Sequence, residues 1–117
     1  MPQTYLGGCH CGRVRFAVTA DLDTIAECNC SICTKKGLHF TFILPNSFQL
    51  RAGEDNLKEY LFNKHAIKHQ SCLDCGVEVF ARGTKPDGSE VVALNVSCID
   101  GIELAKLTMT PVDGRSR

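Results

Sequence analysis

The sequence predicts a small, mainly β domain of short antiparallel sheets stapled by metal. Apolar residues recur at every second position in short runs broken by turn residues, and no helical period persists for ten residues. All but one of the eight cysteines fall in three tight clusters, Cys9-His10-Cys11, Cys28-Asn29-Cys30-Ser31-Ile32-Cys33 and Cys72-Leu73-Asp74-Cys75. At 117 residues the chain reads as one domain, 1–117, whose core extends over about 3–107. A core of that size gains from a structural metal.

Residues 4–8 lead into the first cluster, with Gly7-Gly8 before it and Gly12 after it as turn residues. Val14, Phe16 and Val18 alternate with Arg13, Arg15 and Ala17, the pattern of a strand with one buried face. Asp21–Thr24 is a polar turn, and Ile25-Ala26 a short strand running into the second cluster. Ser31 is placed to cap one helical turn there and Gly37 to stop it. His39–Leu44 is a β-branched and aromatic strand with Phe40, Phe42 and Leu44 on one face, and Phe40 and Phe42 are expected in the core. Pro45-Asn46 ends it.

Phe48–Arg51 and Leu57–Phe62 are further strands on either side of a turn at Gly53–Asn56. Ala66–Ser71 leads into the third cluster. Val77, Val79 and Ala81 again alternate, and Thr84–Ser89 turns the chain into Val91–Val96, a continuous apolar run suited to a central strand. The tail from Thr108 is expected to be loose.

Charge and patterning narrow the functional classes. The formal net charge is zero, which argues against a nucleic-acid binder with a basic face. The N-terminus lacks a basic segment followed by a long apolar run, and no stretch approaches the ~18 apolar residues of a membrane span. A cytoplasmic protein without membrane or nucleic-acid partners is the expectation. In a reducing compartment eight cysteines point to ligands or reactive thiols before disulfides. Edge strands in so small a sheet leave room for a homodimer.

One- and two-residue gaps let two thiolates on one turn face a common ion at about 2.3 Å, whereas a disulfide across such a gap is strained. Zinc is the first candidate. A structural zinc takes four ligands, and a catalytic one takes three with an open position. Cys9, Cys11, Cys72 and Cys75 can close a four-thiolate site that ties the N-terminal hairpin to a loop about sixty residues on, where a cross-link constrains the chain most. Cys28, Cys30 and Cys33 would then hold a second zinc, with water or substrate in the fourth position. Spacing alone leaves other pairings open. It also leaves open that these three are buried thiols, or that one of them completes a single site.

The remaining candidates are more scattered. Cys98 reads as a core residue, a pocket-lining residue or fourth ligand, or a redox thiol. His10 sits between two cysteines and should point away from them, toward solvent or the surroundings of the site. His39, His65 and His69 read as strand-surface or satisfied core histidines, with His39 first in line for acid–base work because it follows the three-cysteine cluster. Lys35 and Lys36 form a solvated turn or attract an anionic group beside the thiolates.

Gly-Gly-Cys-His-Cys-Gly, Cys-Asn-Cys-Ser-Ile-Cys-Thr-Lys-Lys-Gly, Gly-Glu-Asp, a Tyr and Cys-Leu-Asp-Cys-Gly follow in that order over most of the chain. The whole resembles the glutathione-dependent formaldehyde-activating enzyme family, which includes the centromere protein V-like domains. The resemblance implies the β-tent fold, shared with methionine sulfoxide reductase B. It implies two zinc ions per chain: a structural one at Cys9, Cys11, Cys72 and Cys75, and a catalytic one at Cys28, Cys30 and Cys33. His69-Gln70-Ser71 stands before Cys72 where members commonly carry an aromatic residue.

The implied activity is that of a carbon–sulfur lyase, S-hydroxymethylglutathione synthase-like, with glutathione as co-substrate and formaldehyde or a related thiol–aldehyde adduct as the small-molecule partner. A zinc with three thiolates and an open position suits the deprotonation of a fourth thiol, which then adds to a carbonyl carbon. Two rivals predict different sites. A non-catalytic interaction module would close its second metal site with Cys98 or a histidine, and a redox enzyme would use Cys98.

Overall fold

A computed structural model describes residues 3–22, 25–28, 35–62, 67–84, 87–103 and 109–112. The strands are β1 (Gln3–Gly8), β2 (Arg15–Ala20), β3 (Ile25–Cys28), β4 (Phe40–Ile43), β5 (Phe48–Ala52), β6 (Leu57–Phe62), β7 (Ile67–Cys72), β8 (Glu78–Thr84), β9 (Glu90–Asn95) and β10 (Met109–Val112). They form a three-stranded sheet, β1-β2-β5, and a seven-stranded sheet, β10-β3-β4-β9-β8-β7-β6. The pairings are antiparallel except that of β10 with β3. The expected mainly β class of short antiparallel sheets is what the chain adopts. Among the described residues no helix is long and apolar enough to cross a membrane.

The main core lies between the sheets. Val14, Phe16 and Val18 from the β2 region meet Phe48, Val79, Phe80, Val92 and Leu94. A chain of rings crosses the interface, with Phe16 and Phe48 centroids 5.6 Å apart and Phe48 and Phe80 4.7 Å apart. Burying each such side chain contributes about 1.5–3 kcal/mol. The apolar run Val91–Val96 supplies β9, the middle strand of the large sheet, as its composition requires.

A second, smaller cluster of Ala26, Leu38, Phe40, Ala81 and Ala93 covers the opposite face of that sheet. Cross-strand partners share a face, so one row across it reads Tyr60, His69, Ala81, Ala93 and Phe42. Two alanines at the centre of the row accept Leu38 and Phe40. These belong to the chain segments that flank the second cysteine cluster.

β8 carries a bulge. Gln70 pairs with Phe80 but Ser71 with Glu78, so Val79 is the extra residue. Val79 and Phe80 both join the main core, and Glu78 stays on the face of Ala81 and His69. Simple alternation would separate Glu78 from Ala81.

Two expectations are corrected. Phe42 is 58% exposed, because its row lies on the outer face and the core cluster there ends at Phe40. The tail is not loose from Thr108, since Met109–Val112 pairs with Ile25–Cys28. Its Pro111 is tolerated because β10 is an edge strand. The segment before the first cluster is a full strand, β1, although its polar and glycine residues carry no alternating pattern.

Candidate metal centre and its surroundings

Two turns build the centre. The first cluster joins β1 to β2, where the Cys9 amide donates to the Val14 carbonyl at 3.0 Å. The third joins β7 to β8, with the Cys72 amide donating to Val77 and the Gly76 amide to Cys72, at 3.0 and 2.9 Å. Each turn is closed by a glycine directly after its second cysteine. Gly12 and Gly76 have φ values of 84° and 78°, a region that glycine enters without a Cβ penalty. The result is two matching turns, each presenting two sulfurs.

The sulfurs converge. Those of Cys9, Cys11, Cys72 and Cys75 all lie within 4.8 Å of one another. Cys9 and Cys11 are 3.5 Å apart, and Cys11 and Cys72 3.6 Å. Four Zn–S bonds of about 2.3 Å in a tetrahedron set sulfurs ~3.8 Å apart, so the group fits such an ion. These four residues could hold a metal ion. Cys9 and Cys72 are buried, Cys75 is half-buried and Cys11 is exposed.

Polar groups steady the sulfurs. The Val14 amide donates to the Cys9 sulfur at 3.3 Å, and Asn56 Nδ2 donates to the Cys72 sulfur at 3.3 Å and to the Asp74 carboxylate at 2.8 Å. Arg13 Nε pairs with the same carboxylate at 3.3 Å, linking the two turns.

The protons are shared unequally. Burial pushes the Cys9 thiol up, but the Val14 amide and the Cys11 and Cys72 thiols outweigh it and leave Cys9 lowered. Burial likewise raises Cys75, yet hydrogen bonds from Val77, Cys11, Cys72 and Cys9 bring it down to about 6. Cys11 moves the other way. The Arg13 amide lowers it, but burial and the three neighbouring sulfurs prevail and push it up to about 12. Four sulfurs this close cannot all be anionic without a cation among them.

Of the second cluster, only the backbone of Cys28, at the end of β3, is described; Cys30 and Cys33 lie outside the described residues, as do Ser31 and His65. Beyond the cluster, Lys35 and Lys36 have helical backbone and Gly37 turns out of it. Lys36 is more than a solvated turn residue. Its Nζ reaches Glu78 Oε1 at 2.8 Å and Ser71 Oγ at 3.5 Å, and Glu78 Oε2 lies 2.9 Å from His69 Nδ1. The Glu78 and His69 side chains are only 1% and 4% exposed.

Cys98 stands apart from the four-sulfur group. It is buried, and its thiol donates to the Glu78 carbonyl at 3.6 Å, alongside Asn95 Nδ2 at 2.8 Å. Together they satisfy a carbonyl at the bulge. Burial, then the charges of Cys9, Cys75 and Glu78, push the Cys98 thiol up to about 12. A thiol held protonated is a poor nucleophile, which weakens the redox alternative. His10 is exposed, and the His39 carbonyl accepts from the Val96 amide.

Asn56 and Glu78 escaped the sequence reading. Asn56 looked like one residue of a polar turn. Glu78 fell at a solvent position of an alternating run, although Val77 to Ala81 is apolar apart from it, the signature of a strand covered on both faces.

The fold recurs in a known protein. A crystal structure of a Rhodobacter sphaeroides protein, solved by structural genomics, is similar with a TM-score of 0.77 and 25% identity, over 90% of this chain and 99% of that one. Residues 4–112 match the family described as glutathione-dependent formaldehyde-activating enzyme. With the cysteine clusters in order and nearly the whole chain matched, this protein belongs to the glutathione-dependent formaldehyde-activating enzyme family.

Proposed function

We propose that the chain is a zinc-dependent carbon–sulfur lyase that forms and cleaves the adduct of glutathione with formaldehyde, or of a related thiol and aldehyde. The observation that carries this reading is that the sulfurs of Cys9, Cys11, Cys72 and Cys75 converge within 4.8 Å of one another, enough ligands for one four-coordinate ion. Cys28, Cys30 and Cys33 are then not needed for it, and family membership favours a second ion there with one open position. A zinc ion so held would lower the pKa of an incoming thiol.

The chain's own part is to hold the two turns, to pack Ala26, Leu38 and Phe40, which precede and follow the second cluster in sequence, against Ala81 and Ala93, and to orient a thiol against its carbonyl partner. Formaldehyde and thiols react unaided, so positioning can account for the acceleration.

The test is a glutathione titration of the cobalt-substituted protein, with metal content measured in parallel. Two metals per chain and a saturable rise in sulfur-to-cobalt charge transfer, absent in Cys30→Ser, are expected. Two bound metals without a glutathione response would instead favour the interaction-module alternative with its second site closed.

A further inference from the structure

We infer that Cys11 is a peroxide-oxidation site, and that its oxidation ends in a Cys11–Cys72 disulfide that releases a bound metal ion while keeping the two sheets fastened. The inference concerns the four-sulfur centre alone and stands whether or not the chain is a lyase.

The first ground is access. Cys9 and Cys72 are buried and Cys75 is half-buried, whereas Cys11 is exposed. The turn around it is open: a Cβ on Gly12, the next residue, would meet no described residue beyond its chain neighbours within 4 Å. Coordination removes the proton from a thiol. In the metal-loaded centre all four sulfurs are therefore thiolates, and access decides which one an oxidant reaches.

The second ground is the choice of partner. The Cys11 sulfur lies 3.5 Å from that of Cys9 and 3.6 Å from that of Cys72. Cys9 is two positions away on the same turn, where a disulfide closes a strained ring. Cys72 comes from the other turn and is free of that constraint.

The third ground is what the new bond would hold. It joins residues 61 positions apart, so it restricts the unfolded chain strongly. It links the small sheet's β1–β2 turn to the large sheet's β7–β8 turn, where the metal linked them before. The ion pair of Arg13 Nε with the Asp74 carboxylate, at 3.3 Å, spans the same two turns and needs no metal. A disulfide within one turn would release the ion and leave the sheets unfastened.

The oxidant is a peroxide, hydrogen peroxide in the simplest case. The Cys11 thiolate attacks one peroxide oxygen: the S–O bond forms, the O–O bond breaks and hydroxide leaves. The Cys72 thiolate then attacks the Cys11 sulfur: the S–S bond forms, the S–O bond breaks and a second hydroxide leaves. Two thiolates have lost two electrons, and one peroxide has become two hydroxides. Two thiolates remain, too few for a four-thiolate ion. Two molecules of a small thiol such as glutathione reverse the change, giving one glutathione disulfide and both cysteine thiols.

The test uses the zinc-loaded wild-type chain, because a serine at this centre would remove the ligand set itself. Trypsin leaves Cys9 and Cys11 on residues 1–13, and Cys72 and Cys75 on residues 69–82. After hydrogen peroxide, mass spectrometry without reduction should show these peptides linked, with fragmentation placing the bond between Cys11 and Cys72. Zinc should reach a chromophoric chelator in at least equal amount. Early quenching with dimedone, which traps sulfenic acids, should label Cys11 before Cys9, Cys72 or Cys75. The oxidised, zinc-free protein should keep a cooperative thermal transition, which a phosphine reductant abolishes while chelator is present. Glutathione with added zinc should restore the starting mass and metal content. A Cys9–Cys11 bond, a link through Cys75 in place of Cys72, or a first dimedone label on another of the four overturns the proposal. So does zinc release without linked peptides, linkage with all zinc retained, an oxidised protein that no longer melts cooperatively, or one that glutathione and zinc fail to restore.

Discussion

The sulfurs of Cys11 and Cys72 lie 3.6 Å apart although 61 positions separate them in the chain. That contact joins the small sheet's β1–β2 turn to the large sheet's β7–β8 turn, so the four-sulfur group fastens together the two layers whose faces make the main core.

Losing one sulfur should therefore loosen the whole domain. Cys72→Ser is expected to lower stability by about 3 kcal/mol or more and to abolish metal binding at this group, because metal binding and folding are coupled in small domains. Thermal unfolding by circular dichroism, with metal analysis of the same sample, checks it. A strong chelator should abolish the cooperative transition of the wild type; a chelated protein that melts unchanged would contradict the staple.

Asn56 should tune the metal more than the fold. Asn56→Ala removes the donor to the Cys72 sulfur and to Asp74. It should cost about 1 kcal/mol in stability and roughly 10–100-fold in affinity for the metal, read by competition with a chromophoric chelator.

The same side chain depends on Gly53, which sits at φ 87° and starts the tight turn Glu54–Asn56. A Cβ there would strike the Arg13 carbonyl oxygen and the Val14 backbone. Gly53→Ala should destabilise by about 1–3 kcal/mol or more and weaken metal binding too, by shifting the two turns that carry the sulfurs. Urea denaturation of the metal-loaded protein gives the first number, and the chelator competition the second.

Cys98 should be inert in the folded protein. With its thiol pushed up to about 12 and bonded to the Glu78 carbonyl, it carries almost no thiolate at pH 8. Iodoacetamide followed by peptide mass spectrometry should leave Cys98 unmodified until denaturant is added. Rapid modification in the native state would revive a redox role.

The Arg15–Asp100 ion pair gives an acid-side signature. Its hydrogen bonds to Arg15 hold Asp100 below its ordinary value of 3.8. A carboxyl lowered on folding contributes its stability in full above that value and loses it as pH falls through the folded one. The Tm difference between wild type and Asp100→Asn should be constant above about pH 5 and shrink below pH 4. Because the pair is exposed, the difference should be small and should fade in high salt.

Much of this protein is legible in local sequence. Strands β2, β4, β5, β6 and β8 follow from apolar alternation and from turn residues between them, since a strand's faces are set by neighbours two positions apart, β3 from the short apolar pair Ile25-Ala26, and β9 from its continuous apolar run. The paired sulfurs of Cys9-His10-Cys11 and Cys72-Leu73-Asp74-Cys75 are equally local, because each pair shares one turn. Tertiary structure decided the rest. Which turn meets which is a matter of sheet packing across 61 positions. Alternation buries Phe42, but the row it joins ends at the surface. Met109–Val112, too short and interrupted by Pro111 to declare itself, is a strand only because β3 offers an open edge. Glu78 is the sharpest case: one extra residue at Val79 reverses its face, and a side chain that the sequence assigns to water becomes the buried carboxylate between Lys36 and His69.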